Sequence, residues 1–200
     1  DNRPVAALLA PRHPVPDRPQ SVFWPGPSII PEMITVNVRN RPHVIAADIV
    51  VPEGAPVDGV LLAMGTVLGG WSFHVLDGRT RYAHNYMGRS CAVVESREQL
   101  TPGRHEVAML FHTDGDFRGT ATLMVDGRVV GEGDIDRITP VRHSITGGGI
   151  TCGWEQGPAV GPAYVAPFPF TGTLRKVVVD VSGEPYRDPE AEFEAIMSEQ

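Results

Sequence analysis

Three sets of residues in this 200-residue chain have the types and spacing to do chemistry. The first is Glu132-Gly133-Asp134-Ile135-Asp136. Alternate residues of a strand share a face, so the run sets a row of carboxylates along one edge. Sandwich-fold glycosidases draw a nucleophile and an acid from such a row, with the carboxyl groups about 5–5.5 Å apart in retaining enzymes. Their strand pattern wants a further glutamate at position 137, where this chain has Arg137. Acids leaving a hairpin into solvent are the simpler reading. The second set is His74, His84, His105, His112 and His143. No pair has the spacing of a zinc site and none lies beside a cysteine motif, so they read as separate polar-face histidines. The third is Ser72, which follows Gly70-Trp71. A nucleophile elbow needs glycine where this chain has His74, and a sharp strand-to-helix turn that a strand interior cannot give. Gly147-Gly148-Gly149 lacks the lysine and following helix of a phosphate-binding loop. Cys91 and Cys152 form no metal motif or disulfide framework, and two reduced, buried thiols are expected rather than a bridge. From the residues alone, no catalytic, cofactor-binding or metal-ligating position is expected.

The elements that position these groups read as strands. Gly69-Gly70-Trp71 through Asn85-Tyr86 is one β-hairpin, because Asp77-Gly78 suits a two-residue type I′ loop with both residues at φ > 0. That loop sets Leu76 opposite Arg79, Val75 opposite Thr80, Phe73 opposite Tyr82 and Trp71 opposite His84. Trp71, Phe73, Val75, Tyr82 and Tyr86 then share the core face, with Ser72, His74, Arg79, Arg81 and Asn85 on the other. Strands are also predicted over 43–51, 59–64, 90–95, 105–112, 120–125, 128–132 and 173–181. Asp126-Gly127 makes a second hairpin with Leu123 opposite Val130. About nine strands with short turns imply an all-β antiparallel sandwich or jelly roll, whose sheets cover each other. Residues 144–172 read as a long loop or a pair of irregular edge strands.

Residues 1–40 are Pro-rich and are expected as an extended arm, with a short strand at Ser21–Trp24. The sandwich is assigned to 41–182 and a tail to 183–200. In that tail Asp188 caps, and Pro189 opens, a helix over 189–200 with Phe193, Ile196 and Met197 on its apolar side. So short a helix must dock to be stable. A net charge of −7 without any run of Lys or Arg argues against nucleic acid or an anionic membrane as partner. No apolar stretch approaches the ~20 residues that span a bilayer. The chain opens at Asp1 without a leader, which suggests a piece of something longer, and its reduced-looking cysteines lean towards the cytoplasm. Trp24, Trp154, Tyr164 and Tyr186 fall in predicted loops. They are candidate sugar-stacking or interface residues, with the alternative that they plug the ends of the sandwich.

Several runs together are similar to the C-terminal domain of large bacterial arylsulfatases. They are Asn37-Val38-Arg39-Asn40-Arg41-Pro42-His43, Leu62-Ala63 through Gly69-Gly70-Trp71-Ser72, Tyr82 with Asn85-Tyr86, and Leu100-Thr101-Pro102-Gly103-Arg104-His105. Thr122-Leu123-Met124-Val125-Asp126-Gly127 and Phe170-Thr171-Gly172 continue the series, and order and spacing match from about residue 20 to 181. The closing tail resembles that of actinobacterial members. The resemblance implies a concanavalin A-like or laminin G-like sandwich that packs on a sulfatase catalytic domain of the same polypeptide. In that family an N-terminal α/β domain hydrolyses sulfate esters with a formylglycine made in C-x-P-x-R, or its alanine variant, beside Ca²⁺. Here Cys91 is followed by Ala-Val-Val-Glu and Cys152 by Gly-Trp-Glu-Gln, so neither carries that role. The chain also departs from the family's Gly-Arg-Asp-x-Gly-like turn, with Gly153-Trp154-Glu155-Gln156-Gly157 in its place. The expectation is a non-catalytic accessory domain; the alternative is a free-standing carbohydrate-binding module.

Overall fold

From His43 to Val51 every second side chain is buried, the period-two signature of a strand with one face on a core. The same logic repeats along the chain. The computed structural model describes residues 18–139, 143, 148–155 and 157–182. Within them lie twelve strands: β1 (Gln20–Phe23), β2 (Gly26–Ile30), β3 (His43–Val51), β4 (Gly59–Thr66), β5 (Gly69–Leu76), β6 (Arg79–Tyr86), β7 (Ser90–Glu95), β8 (Gly103–Thr113), β9 (Gly119–Val125), β10 (Arg128–Ile135), β11 (Ile150–Cys152) and β12 (Thr173–Asp180). A single 3-10 turn at Glu32–Ile34 follows β2.

The strands form two six-stranded antiparallel sheets, making an all-β sandwich. Sheet I has the order β1-β12-β3-β8-β9-β10, and sheet II the order β2-β11-β4-β5-β6-β7. Between them Ile45, Met109, Leu123 and Val177 from sheet I meet Leu62, Trp71 and Phe73 from sheet II, all essentially solvent-free. Burying apolar surface at about 25 cal/mol per Å² drives this closure.

The first hairpin forms as its turn chemistry dictates. Asp77 and Gly78 sit at φ 52° and 71°, and the register pairs Phe73 with Tyr82 and Trp71 with His84. The second hairpin turns at Asp126 (φ 50°) and Gly127 (φ 76°), but Leu123 faces Gly131 rather than Val130. A β-bulge between Val129 and Gly131 inserts Val130 as the extra residue and turns it into the core. Gly131 lies so near the Glu95 carbonyl that a Cβ would stand 2.5 Å from it, which fixes where the bulge falls.

Two further departures concern the proline-rich segments. The short strand expected at Ser21–Trp24 forms as β1, at the edge of sheet I; the arm also contributes an unexpected β2 at the edge of sheet II, crossing between sheets at Trp24-Pro25. Edge strands tolerate proline, because their outward N–H groups need no ladder partner. The region read as a loop or irregular edge strands contributes β11, which is internal, between β2 and β4. Gly148 and Gly149 make room for it: a Cβ on either would meet the Gly65 or Ile30 carbonyl at 2.6 or 2.4 Å. The predicted helix over 189–200 lies outside the described residues, as does Tyr186.

Candidate functional site

The outer face of sheet II is where chemistry-bearing side chains gather. Its central row runs Thr151, Ala63, Ser72, Ala83 and Val93 across β11, β4, β5, β6 and β7. Short side chains there leave a trough, and the segment after β11 fills it. Phe168 accepts a hydrogen bond at its carbonyl from Val60 N (3.1 Å), Thr171 N donates to Asp58 O (2.7 Å) and Gly153 N donates to Leu61 O (3.0 Å). Asn85 Nδ2 donates to the carbonyls of Val160 (2.7 Å) and Val67 (3.0 Å). Gly161 passes over Ala83 and Cys91. The polar face of the hairpin is therefore buried, not solvated.

Under this cover a polar chain runs inward. Tyr164 donates its hydroxyl to Ser72 Oγ (2.7 Å), and Ser72 Oγ sits 3.2 Å from His74 Nδ1. The His74 ring lies 4.8 Å from the Tyr164 ring, which stacks at 4.5 Å on Phe168. Glu155 turns its Oε1 inward to accept Val160 N (3.0 Å). Burial lowers the His74 pKa to about 4, against the opposing Ser72 contact, and raises the Glu155 carboxyl, against the Tyr164 and Val160 hydrogen bonds. Ser72 and His74 have no solvent exposure at all. A serine beside a histidine resembles a nucleophile and its base, but a sealed neutral pair with its hydroxyl engaged by Tyr164 cannot reach a substrate.

A second polar cluster lies between the sheets at one end. The His84 ring is 6.0 Å from that of His143, and His143 is 6.5 Å from Trp71. His43 stacks on Phe111 at 5.1 Å, with its Nδ1 2.9 Å from Arg41 O. Arg41 Nη2 donates to Val181 O (2.5 Å), and His143 N donates to Glu32 Oε1 (3.0 Å). Burial lowers His43 and His84 to about 4 and His143 well below its ordinary value. These rings are neutral at pH 7. His74, His84 and His143 were expected on a polar face; burial on both faces of sheet II overturns that. His43 carried no sequence signal beyond its place at a strand start. Among the described histidines only His105 and His112 keep solvent access; His105 Nδ1 lies 2.6 Å from Asp126 Oδ2, which pulls the aspartate's pKa down. Among the described residues no three His, Cys, Asp or Glu are arranged to hold a metal ion.

The acidic run lies on β10, the edge strand of sheet I. Glu132 and Asp134 are exposed and accept from Thr122 Oγ1 (3.2 Å) and Thr120 Oγ1 (3.4 Å) of the neighbouring strand. They stand on an open sheet face. Both cysteines are free thiols, and burial raises both, Cys152 to about 12, so neither is a ready thiolate.

The loop aromatics separate. Tyr164 is 8% exposed and packs with Val60 and Ala63, a plug on the sheet face. Trp154 is half-buried and donates its Nε1 to Gly26 O (2.6 Å), which ties it to the β1–β2 corner. Trp24 sits on that corner, 68% exposed. Trp24 and Trp154 thus share one corner of the molecule. Tyr164 serves the sheet face.

No protein-family model matches the chain, and no curated protein matches it. Solved structures do. The CBM40 domain of the Ruminococcus gnavus IT-sialidase bound to α2,3-sialyllactose has a TM-score of 0.54 at 13% identity, covering 78% of this chain and 83% of that one. A second structure of the same CBM40 domain has a TM-score of 0.53 at 12% identity, covering 78% of this chain and 83% of that one. At this identity the likeness establishes the shared sandwich fold.

Proposed function

We propose that the chain is a non-catalytic accessory domain, the C-terminal β-sandwich of an arylsulfatase-type sulfuric ester hydrolase. It packs on and stabilises a formylglycine- and Ca²⁺-dependent catalytic domain of the same polypeptide. The observation that supports this most is the sealing of the groups with catalytic types. Ser72, His74, His84 and His143 are all 3% exposed or less, and the centre of sheet II around Ser72 and Ala83 is covered on both faces. Among the described residues the outer face of sheet I, the β7 edge of sheet II and the β1–β2 corner are open, surfaces for packing rather than reaction. The resemblance of several sequence runs to arylsulfatase C-terminal domains supports a sulfatase catalytic domain as that partner. Purified, the chain should show no turnover of an aryl sulfate such as 4-nitrophenyl sulfate. Turnover that survives repurification would overturn the reading.

The second reading is a carbohydrate-binding module, and the solved structures with this fold favour it. Its carrying observation is Trp24, 68% exposed at the β1–β2 corner to which Trp154 is tethered through Gly26, a ring on which a sugar can stack. Titrating glycans, sialyllactose first, against tryptophan fluorescence separates the two. The packing reading expects no change; the sugar reading expects a saturable change that Trp24→Ala removes without altering the melting temperature.

A further inference from the structure

The outer face of sheet I sorts its charge by end. Asp180, Glu132 and Asp134 make one end acidic. Cations gather at the other. Phe23 and its partner Val177 are buried and turn into the core. The next residues, Trp24 and Lys176, therefore leave the two strands on the outer side, and both are exposed. Pro25 and Leu174 flank Gly153, where a Cβ would stand 3.1 and 3.5 Å from their side chains, so this corner lies against the start of β12. Lys176 pairs in turn with Asp48 of β3. At about 4.8 Å per strand, Trp24 and Asp48 stand about 10 Å apart, room for a disaccharide.

Arg104 donates its Nε to Asp48 Oδ1 (3.0 Å) and its Nη2 to Oδ2 (2.8 Å). Arg175, the extra residue of a bulge between Leu174 and Lys176, brings its Nε within 3.4 Å of the same Oδ2. The Asp48 side chain is 17% exposed, those of Arg104 and Arg175 64% and 55%. One largely buried carboxylate thus fixes two guanidinium groups that stay open to water. Against Lys176, Arg104 and Arg175 stand Asp48 and its β8 partner Glu106, so this end is positive on a chain of net charge −7. We propose that Trp24, Lys176, Arg175 and Arg104 form a site for an anionic sugar, one bearing a carboxylate or a sulfate. The inference rests on the sugar-binding reading above and names the class of sugar. Trp24 offers an apolar ring face to the sugar's C–H groups. The arginine forks suit a planar or tetrahedral oxyanion, Lys176 adds a point charge, and Glu106 can accept from sugar hydroxyls. Asp48 is a positioning residue: it holds the two arginines without reaching the sugar.

The test is an NMR titration of the full chain in about 0.1 M salt with lactose, lactose 3′-sulfate and 3′-sialyllactose. The Trp24 indole N–H and the Arg175 Nε–H signals report the two ends of the site. At least one acidic sugar should shift both signals and bind about tenfold more tightly than lactose, and which one does so tells sulfate from carboxylate. Trp24→Ala should remove binding of all three. Arg175→Gln with Lys176→Gln should bring the acidic sugar down to the affinity of lactose, at an unchanged melting temperature. Equal affinity for the three sugars would overturn the anionic site while sugar binding at Trp24 stood. So would an acidic preference that survives the double substitution. Binding of none of the three would overturn both this site and the sugar-binding reading.

Discussion

At the scale of single residues, the molecule buries its reactive types and keeps them neutral. Tyr164 decides how Ser72 and His74 are satisfied, since its hydroxyl is the donor that reaches them from the covering segment. Tyr164→Phe should cost about 1–2 kcal/mol, by leaving buried polar atoms short of a partner while the ring still fills the trough. Urea unfolding checks this; an unchanged midpoint would mean the hydroxyl is dispensable. The histidines make a second prediction. His43, His74 and His84 titrate near 4 when folded and near 6.5 when unfolded, so the unfolded chain takes up more protons between those values. Stability is therefore full above pH 6.5 and falls as pH drops towards 4, by about 1.4 kcal/mol per unit for each ring. Acid unfolding should set in between pH 6 and 4.5, followed by tryptophan fluorescence. A fold intact at pH 4 would contradict it. That His74 points away from the aromatic face was legible from the hairpin alone. Its burial was not, because the cover over it comes from Tyr164, 92 residues along the chain, in a segment with no periodicity of its own.

At the scale of elements, turn chemistry was the most legible signal. Asp-Gly pairs at 77–78 and 126–127 set both hairpins, and the strands from β3 to β10 and β12 follow the alternation of apolar residues. What escaped was whatever depends on a neighbour. The bulge at Val130 is dictated by how close Gly131 comes to Glu95, and β11 becomes a strand because β2 and β4 flank it. Close approach makes a sharp contrast between two glycines. Gly70 has φ +142° and a Cβ there would stand 2.0 Å from Met64 O, whereas Gly127 has φ +76° and open space. Gly127→Ala should cost about 1–2 kcal/mol, the price of a left-handed alanine. Gly70→Ala should cost more than about 3 kcal/mol, because it also drives β4 and β5 apart. Thermal melts of the two variants check the difference; equal losses would mean the strand pair yields at no cost.

At the scale of the whole molecule, the all-β sandwich was readable from about nine strands' worth of pattern with a short strand at Ser21–Trp24, and the structure completes it with β2 and β11. The candidate site was only partly readable. Trp154 is tied to Gly26, two residues along the chain from the exposed Trp24, while Tyr164 packs with Val60 and Ala63. Nothing in residue types announces that a segment of irregular backbone will lie across a sheet, since such a segment is stabilised by the trough it fills. The consequence is a second sheet whose centre is covered, with described open surfaces that suit contact with another body. The proposed accessory role rests on that distribution of surface, and the proposed sulfatase partner rests on the resemblance of the sequence runs alone. The most direct measurement is to read the coding sequence immediately upstream of the codon for Asp1. The account predicts an in-frame α/β region carrying C-x-P-x-R, or its alanine variant, with metal-binding carboxylates. A start codon or signal peptide at that position would contradict it and make a free-standing sugar-binding sandwich the leading reading.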